Sequence, residues 1–333
     1  GGATGGDGPA RLALFDPTPE RRALAKKVLD RGQPWRGRNE LWFTPRGLGA
    51  AGGRLAFVFP GIEVTPPPDV SAVVAELGVA TPAALADPAI AARDLEHQGL
   101  AVFALGRLLD DALRAAGHAP DVYAGHSLGE WTGMVVSELV PPAAAATFVG
   151  GLRPGSLEVP DVVFAAVGCG AAGAAAALDG LADVAVSHDN CPHQAIVCGK
   201  VDAVRAALAR LADQGVLCQE LPFRSGFHSP LFADYLGPHR AHLAALPLGP
   251  PRVPMWSATS CAPYPLDPDR VRALAIEHLV RPVRFRELTA ALYADGVRGF
   301  VQLGVGSVAG FVGDTLRGQE HLAIAASADK GDA

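Results

Sequence analysis

The chain has 333 residues, of which 49% are hydrophobic and 19% charged, enough to bury a sizeable core in one large or two ordinary domains. The formal net charge is −6 and no basic block stands out, so we expect no nucleic-acid partner. Gly, Pro or charged residues interrupt every apolar run before 18 residues, so no transmembrane helix and no membrane partner are predicted. The five cysteines include no C-x-x-C pair, which favours a reducing, cytoplasmic location over a disulfide framework or a zinc site.

Hydrophobic periodicity and turn residues predict an alternation of strands and helices along most of the chain. In chain order the predicted elements are a helix at 19–30, a strand at 55–59, a helix at 83–116, a strand at 121–124, helices from 128 towards 141 and at 143–152, a strand at 162–167, a helix at 171–178, strands at 182–187 and 194–198, a helix at 203–212, a strand at 216–221, a helix at 231–245, a strand at 253–257, helices at 268–280 and 284–296, a strand at 300–304 and a helix at 307–316.

These elements predict an α/β fold. Residues 161–222 follow the order β-α-β-β-α-β, which is typical of a ferredoxin-like subdomain. Alternation on both sides of that segment predicts an α/β-hydrolase-like core, with a mostly parallel sheet covered on both faces, formed by residues 54–160 and 223–333. Residues 1–53 are rich in Gly and Arg and are interpreted as an N-terminal linker or flanking segment.

Residues 125–130 read Gly-His-Ser-Leu-Gly-Glu and lie between a predicted strand and a predicted helix. This is the context of a nucleophile elbow, in which Ser127 would occupy a sharp strand-to-helix turn. Gly125 and Gly129 would let the backbone pass close to itself there. The free N–H groups of the following helix would face a developing oxyanion. A bare G-x-S-x-G match also occurs in ordinary Gly-rich turns, so the pattern by itself leaves both interpretations open.

A serine becomes an effective nucleophile only when a base accepts its proton. Among ten histidines the best candidate for that base is His228, in a polar loop between Gly226 and Pro230. The acidic residues between Ser127 and His228 fall mostly inside or beside the ferredoxin-like segment, and none is well placed for a triad. The sequence therefore favours a Ser-His dyad.

Five motifs in order carry a family resemblance that covers about residues 54–318. They are Phe-Val-Phe-Pro-Gly at 57–61, Gly-His-Ser-Leu-Gly-Glu at 125–130, Asn-Cys-Pro at 190–192 followed by Gly199, Gly-Phe-His-Ser at 226–229 and Pro-Val-Arg-Phe at 282–285. In these motifs the chain resembles the acyltransferase domains of polyketide and fatty acid synthases, which are related to malonyl-CoA:acyl-carrier-protein transacylases.

The resemblance implies a ping-pong reaction in which Ser127 takes an acyl group from coenzyme A and passes it to the phosphopantetheine thiol of an acyl carrier protein. It implies His228 as the base, oriented by a main-chain carbonyl near Arg284. The oxyanion hole would use the backbone N–H groups of Leu128 and of Ile62, where the family carries Gln. No permanently bound cofactor is implied, because acyl-CoA is a substrate. The implied partners are the carrier protein and neighbouring synthase domains.

The sequence gives conflicting signals on the acyl group. Extender-unit transferases carry an arginine 25 residues after the serine, which pairs with the malonyl carboxylate. Here that position is Leu152, which favours an uncharged starter or longer acyl group. The alternative is that the adjacent Arg153 turns into the cleft and pairs with a malonyl carboxylate. Phe227, at a position that is bulky and apolar in malonyl-selective members, favours malonyl as the alternative. His126 and Asn190 are further candidate substrate-binding residues, with a structural role as the alternative for His126.

Two other functional classes remain as alternatives. An α/β esterase or thioesterase would share the elbow and pass the acyl group to water, but the missing third acid and the ferredoxin-like segment disfavour it. A non-catalytic docking module of a synthase is disfavoured because both Ser127 and His228 are present.

Overall fold

The computed structural model describes residues 8–35, 37–62, 67–87, 89, 93–151, 155 and 157–326. The chain divides into two compact units, Gly1–Arg54 and Leu55–Ala333. Across the described ranges, no helix is both long enough and apolar enough to cross a bilayer.

The first unit is a small β-α-β arrangement with a core of its own. Strand β1 (Arg11–Leu14) pairs antiparallel with β2 (Leu41–Thr44), and helix α1 (Pro19–Arg31) connects them. Thr18 caps α1 by accepting a hydrogen bond from the N–H of Arg21. The sequence predicted this helix but neither strand. The core of the unit consists of Ala25, Val28, Leu41 and Phe43.

The other elements follow in chain order. The strands are β3 (Arg54–Phe59), β4 (Val122–Gly125), β5 (Val162–Val167), β6 (Val184–Cys191), β7 (Gln194–Lys200), β8 (Cys218–Glu220), β9 (Met255–Ser257), β10 (Ala262–Pro263), β11 (Val297–Gln302) and β12 (Leu322–Ala325). The helices are α2 (Ser71–Leu77), α3 (Leu95–Ala115), α4 (Leu128–Val136), α5 (Ala145–Val149), α6 (Ala171–Ala177), α7 (Val201–Asp213), α8 (Leu236–Ala245), α9 (Pro268–Val280), α10 (Phe285–Ala294) and α11 (Val308–Thr315).

A six-stranded sheet forms the centre of the second unit, in the order β10-β9-β4-β3-β11-β12. Strand β4 pairs parallel with β3 and β9, β11 pairs parallel with β12, and the short β10 runs antiparallel to β9. Alternate side chains of β3 enter opposite cores, with Phe57 and Phe59 in one and Ala56 and Val58 in the other. Both faces are therefore buried, and the predicted α/β class with a parallel-sheet core is confirmed.

A second, four-stranded sheet has the order β6-β7-β5-β8, and all its pairs are antiparallel. Helices α6 and α7 pack on one face of this sheet against Val163, Ala165 and Val167. Strand β6 was predicted to end at residue 187, but it continues to Cys191. The extra residues carry His188 and Asn190 towards the central sheet.

Strand β6 is attached to the rest of the second unit by backbone and side-chain bonds. The N–H of Val283 donates to the carbonyl of Ser187 at 2.9 Å, and the N–H of Asp189 donates to the carbonyl of Val283 at 2.8 Å. Arg286 holds the buried Asp189 carboxylate with its Nε at 2.9 and 3.0 Å and a terminal nitrogen at 2.9 Å. A two-point guanidinium–carboxylate contact of this kind fixes orientation as well as distance.

Several helix boundaries differ from the prediction. The helix expected at 83–116 is a 3₁₀ turn at Ala83–Leu85 and then α3, which begins where the Asp94 side chain accepts a hydrogen bond from the N–H of His97. The helix expected at 231–245 starts as a 3₁₀ turn at Pro230–Tyr235. The short edge strands β10 and β12 were not predicted, because their apolar runs are too brief to show a period.

Asp110 of α3 is a buried carboxyl beneath the central sheet. The Tyr123 hydroxyl donates to Asp110 Oδ1 at 2.7 Å, and Arg114 donates to the same hydroxyl at 3.2 Å. Burial raises the pKa of Asp110 to about 6, despite the hydrogen bond from Tyr123. Folding therefore favours the protonated carboxyl.

We expect Asp110→Asn to remove part of the pH dependence of the unfolding free energy. As pH rises from 3.8 to about 6, the unfolded Asp110 ionises while the folded carboxyl keeps its proton, so this group lowers wild-type stability across that window. At neutral pH, the raised pKa of Asp110 lowers the free energy of unfolding of the wild type by about 3 kcal/mol. Urea unfolding at pH 4 and pH 7 measures it, with the exposed neighbour Asp111→Asn as the control. An identical pH response in wild type and Asp110→Asn would contradict the assignment.

Candidate active site

Ser127 lies at the sharp turn between β4 and α4. Its backbone has φ 54° and ψ −121°, a strained conformation for a residue other than glycine. A Cβ at Gly125 would lie 2.2 Å from the backbone nitrogen of Glu130, and one at Gly129 would lie 2.0 Å from the carbonyl oxygen of Phe59. Only glycine fits at these two positions, so the turn depends on both of them.

The His228 ring bonds Ser127 on one side and the main chain on the other. Its Nε2 lies 2.7 Å from Ser127 Oγ, and its Nδ1 donates to the carbonyl oxygen of His278 at 2.7 Å. The backbone N–H of His228 donates to the carbonyl of Leu279 at 2.8 Å. Both acceptors are at the C-terminal end of α9, where carbonyl groups have no partner within the helix. With Nδ1 as the donor, Nε2 is free to accept the serine proton.

The prediction placed the orienting main-chain carbonyl near Arg284, and the carbonyl that bonds His228 Nδ1 belongs to His278, six residues earlier in the chain. The backbone around Arg284 is engaged elsewhere. Val283 pairs with β6, the N–H of Arg284 donates to the carbonyl of Ala258 at 2.9 Å, and Cys261 Sγ contacts the Arg284 carbonyl at 3.6 Å. The end of the preceding helix is therefore the segment that reaches His228.

Burial lowers the pKa of His228 well below its usual range, and the nearby His278 lowers it further. The ring is 3% exposed, so its charged form would lose most of its hydration. His228 is thus kept neutral at and below neutral pH, in the form that can accept a proton.

Two further histidines belong to the site and were not predicted. The ring of His188 is 4.9 Å from that of His228 and stacks on His126 at 5.2 Å. The ring of His278 is 4.8 Å from that of His228, and its Nε2 donates to the carbonyl of Ser127 at 3.0 Å. No motif marks either residue. A longer β6 in the prediction would have pointed to His188.

Glu130 and His278 connect the elbow to the strand beside it. Glu130 is fully buried, and its Oε2 accepts a hydrogen bond from the N–H of Ala258 at 2.9 Å and lies 3.3 Å from His278 Nδ1. Tyr264 donates to the other oxygen, and Thr259 Oγ1 is 2.9 Å from His278 Nδ1. This network fixes the start of α4 beneath Ser127.

A cavity of about 270 Å³ lies beside Ser127, between the elbow and the open face of the four-stranded sheet. Its described lining residues include no Asp, Glu, Lys or Arg. Elsewhere in the described chain, no group of three or more His, Cys, Asp or Glu side chains is arranged to hold a metal ion. The cavity is lined by Gly61, Ile62, Leu95, His126, Ser127, Leu128, Trp131, Leu157, Phe164, Ala166, His188, Asn190, Gln194, Ile196, Gln219, Leu221, Phe223, Phe227, His228, His278, Leu279, Ser307 and Phe311.

Five of the predicted binding and oxyanion residues line this cavity, namely Ile62, His126, Leu128, Asn190 and Phe227. As the first residue of α4, Leu128 has a backbone N–H without an acceptor inside the helix. A Cβ at Gly61 would lie 3.1 Å from Ser127 Cβ, so the chain entering Ile62 passes directly over the elbow.

The predicted specificity residues Leu152 and Arg153 lie outside the described residues.

The acyl transferase domain family matches residues 72–327 of the chain. The chain belongs to this family. Among curated relatives, a polyketide biosynthesis protein, ThaF of Burkholderia thailandensis, is 31% identical over 214 residues, or 61% of this chain and 17% of that protein. A malonyl CoA-acyl carrier protein transacylase of Synechocystis sp. is 27% identical over 216 residues, or 62% of this chain and 70% of that protein. The acyltransferase thus spans less than a fifth of the first of these relatives.

Solved structures share the fold of this acyltransferase. The acyltransferase domain from the second module of the salinomycin polyketide synthase superimposes with a TM-score of 0.72 at 24% identity, covering 95% of this chain and 77% of that one. An identity this low supports likeness of fold, and the chemistry of the site has to be argued from its own residues.

Proposed function

We propose that this acyltransferase moves an acyl group from coenzyme A to the phosphopantetheine thiol of an acyl carrier protein, using Ser127 and His228 as a dyad. The observation that carries the proposal is the 2.7 Å contact between Ser127 Oγ and His228 Nε2, with His228 Nδ1 bonded to a main-chain carbonyl. The carrier protein and neighbouring synthase domains are the proposed partners, and the cytoplasm is the proposed location. Residues 161–222 would act as a subdomain that covers the nucleophile.

In the first half-reaction, His228 Nε2 takes the Ser127 proton while Oγ attacks the thioester carbonyl. The tetrahedral oxyanion would be stabilised by the N–H groups of Ile62 and Leu128. The intermediate then expels the coenzyme A thiolate, which receives the proton from His228. In the second half-reaction His228 deprotonates the carrier thiol, the thiolate attacks the Ser127 ester, and the serine oxygen recovers the proton as it leaves.

We further propose that the acyl group is neutral. A malonyl carboxylate in a buried site needs a cationic partner, because an unpaired buried charge is costly. The described lining of the cavity contains no Lys or Arg. Burial lowers the pKa of His126 to about 4 and that of His188 well below its usual range, so neither ring supplies a positive charge at neutral pH. Malonyl, favoured by Phe227, is the alternative.

Competition between malonyl-CoA and butyryl-CoA tests this choice. With both thioesters equimolar, we expect the butyryl ester to predominate on the enzyme, as read by intact mass, and to move to holo-carrier protein on addition. A predominantly malonylated enzyme would contradict the neutral-acyl proposal, and Arg153→Ala would then test whether Arg153 supplies the charge. Loss of the acyl group to water at the same rate with and without carrier protein would favour the thioesterase alternative.

A further inference from the structure

Two buried histidines outside the dyad line the cavity. His188 and His126 are 7% and 8% exposed, and both rings line the space beside Ser127. Neither ring has a role in the proton transfers described above. Their hydrogen bonds determine which nitrogen of each ring, if any, is left for a ligand.

The protonation of His188 follows from its neighbour Ser187. The Ser187 hydroxyl has one proton, and the carbonyl of Ile196 at 3.2 Å is an acceptor for it. With the proton on that bond, the Ser187 oxygen accepts from His188 Nδ1 at 2.9 Å, so Nδ1 is the donor in this arrangement. In the neutral imidazole the other nitrogen, Nε2, is then a bare acceptor. No described residue bonds to that nitrogen.

The hydrogen bonds of His126 are assigned in the same way. The Asn190 side chain donates through Nδ2 to Gln194 at 2.8 Å, and its Oδ1 lies 2.7 Å from His126 Nε2. An amide oxygen only accepts, so His126 Nε2 is the donor there. The His126 ring also has a hydrogen bond to its own backbone, so its Nδ1 is not counted as a free acceptor. A Cβ at Gly61 would lie 3.1 Å from this Nδ1, which puts the nitrogen beneath the segment that passes over Ser127.

His188 Nε2 is thus the acceptor that the ring arrangement leaves close to Ser127. The ring of His188 is 4.9 Å from that of His228, whose Nε2 is 2.7 Å from Ser127 Oγ. These distances put the free nitrogen of His188 within reach of a substituent on the second to fourth carbon of an acyl group esterified to Ser127. A buried acceptor that stays unpaired in the complex costs free energy, so a ligand that donates to it is favoured.

We propose that the site selects acyl groups with a hydroxyl on the second to fourth carbon, which donates a hydrogen bond to His188 Nε2. This inference rests on the proposed acyl transfer and defines its substrate class. A keto or carboxylate oxygen in the same place has no hydrogen to donate and would face the lone pair of the ring. A protonated amine could donate, but the described lining has no carboxylate to balance its charge.

The test compares rates of Ser127 acylation by 3-hydroxybutyryl-CoA and butyryl-CoA, together with the 2- and 4-hydroxy isomers, by intact mass. We expect the best hydroxylated thioester to react about tenfold faster than butyryl-CoA, or more. In His188→Phe, which keeps an aromatic ring but no acceptor, the ratio should fall to about one. The control His193→Phe removes an exposed histidine from the turn after β6 and should leave the ratio unchanged.

The outcomes separate the two proposals. Equal wild-type rates for all four thioesters, or a hydroxyl preference that persists in His188→Phe, would overturn the hydroxyl assignment and leave acyl transfer standing. Absence of a Ser127 adduct from every thioester would overturn the acyl-transfer proposal and the inference with it. The wild-type comparison needs no substitution, so it decides the question even if the Phe variant does not fold.

Discussion

Ser127→Ala is expected to abolish the covalent acyl adduct and to reduce acyl transfer by about 10⁴-fold or more. Alanine leaves no oxygen to form the ester, and neither the donors at Ile62 and Leu128 nor His228 can supply one. The strained backbone at position 127 should be retained, because it depends on the glycines on either side and not on the hydroxyl. Intact mass after incubation with a reactive acyl-CoA measures the loss directly.

The matched control for that experiment is Ser260→Ala, which removes an exposed hydroxyl elsewhere in the same unit. It should acylate like the wild type. If Ser127→Ala formed an undiminished adduct, the nucleophile would have to be a different residue, and peptide mapping of the adduct would locate it.

His228→Ala is expected to slow acylation of Ser127 by about 10²- to 10⁴-fold, because the serine then has no base within hydrogen-bond reach. The pH dependence of acylation in the wild type should give a second test of His228 as the base. The base acts in its neutral form, and burial lowers the pKa of His228 well below its usual range. Acylation should therefore stay level from pH 8 to below pH 6.5 and decline only at more acidic pH.

Single-turnover acylation across pH 5–8 measures this profile, with far-UV circular dichroism at each pH to verify that the protein is folded. The check matters because buried neutral histidines bind fewer protons than unfolded ones, so their contribution to stability falls as pH drops below about 6.5. His118→Ala removes an exposed histidine and should keep both rate and profile. If the acylation rate fell to half its maximum at pH 6.5 or above, the pKa of the base would not be lowered by burial, contrary to the position of His228 in the structure.

The identity of the acyl group is the point on which sequence and structure support each other least. The position expected to hold the carboxylate-binding arginine lies outside the described residues, and the inference of a neutral acyl group depends instead on the cavity lining. The acceptor nitrogen proposed on His188 adds a separate argument, since it would repel a carboxylate and favour a hydroxyl. The competition between malonyl-CoA and butyryl-CoA tests the charge of the acyl group, and the comparison of hydroxylated thioesters with butyryl-CoA tests its hydroxyl.

Local patterns in the sequence were sufficient for much of the fold. The strand at 162–167 and the helix at 268–280 were predicted with the bounds that are observed, because each has a clear period and clear ends. The pattern of residues 161–222 likewise predicted a β-α-β-β-α-β unit, and its strands form one antiparallel sheet. The strands β10 and β12 at the edges of the central sheet, two and four residues long, were not predicted.

What the sequence by itself determined at the site is the elbow. Gly125, Ser127 and Gly129 lie within one turn, and their spacing along the chain is sufficient to specify its backbone geometry. Only the tertiary structure decided what surrounds it. The carbonyl that orients His228 comes from His278, 50 residues away, and His188 reaches the cavity because β6 pairs with a segment almost a hundred residues downstream. A carbonyl has no side-chain signature, and a lone histidine has no spacing to mark it. Their roles arise from contacts between distant parts of the chain, which local periodicity does not encode.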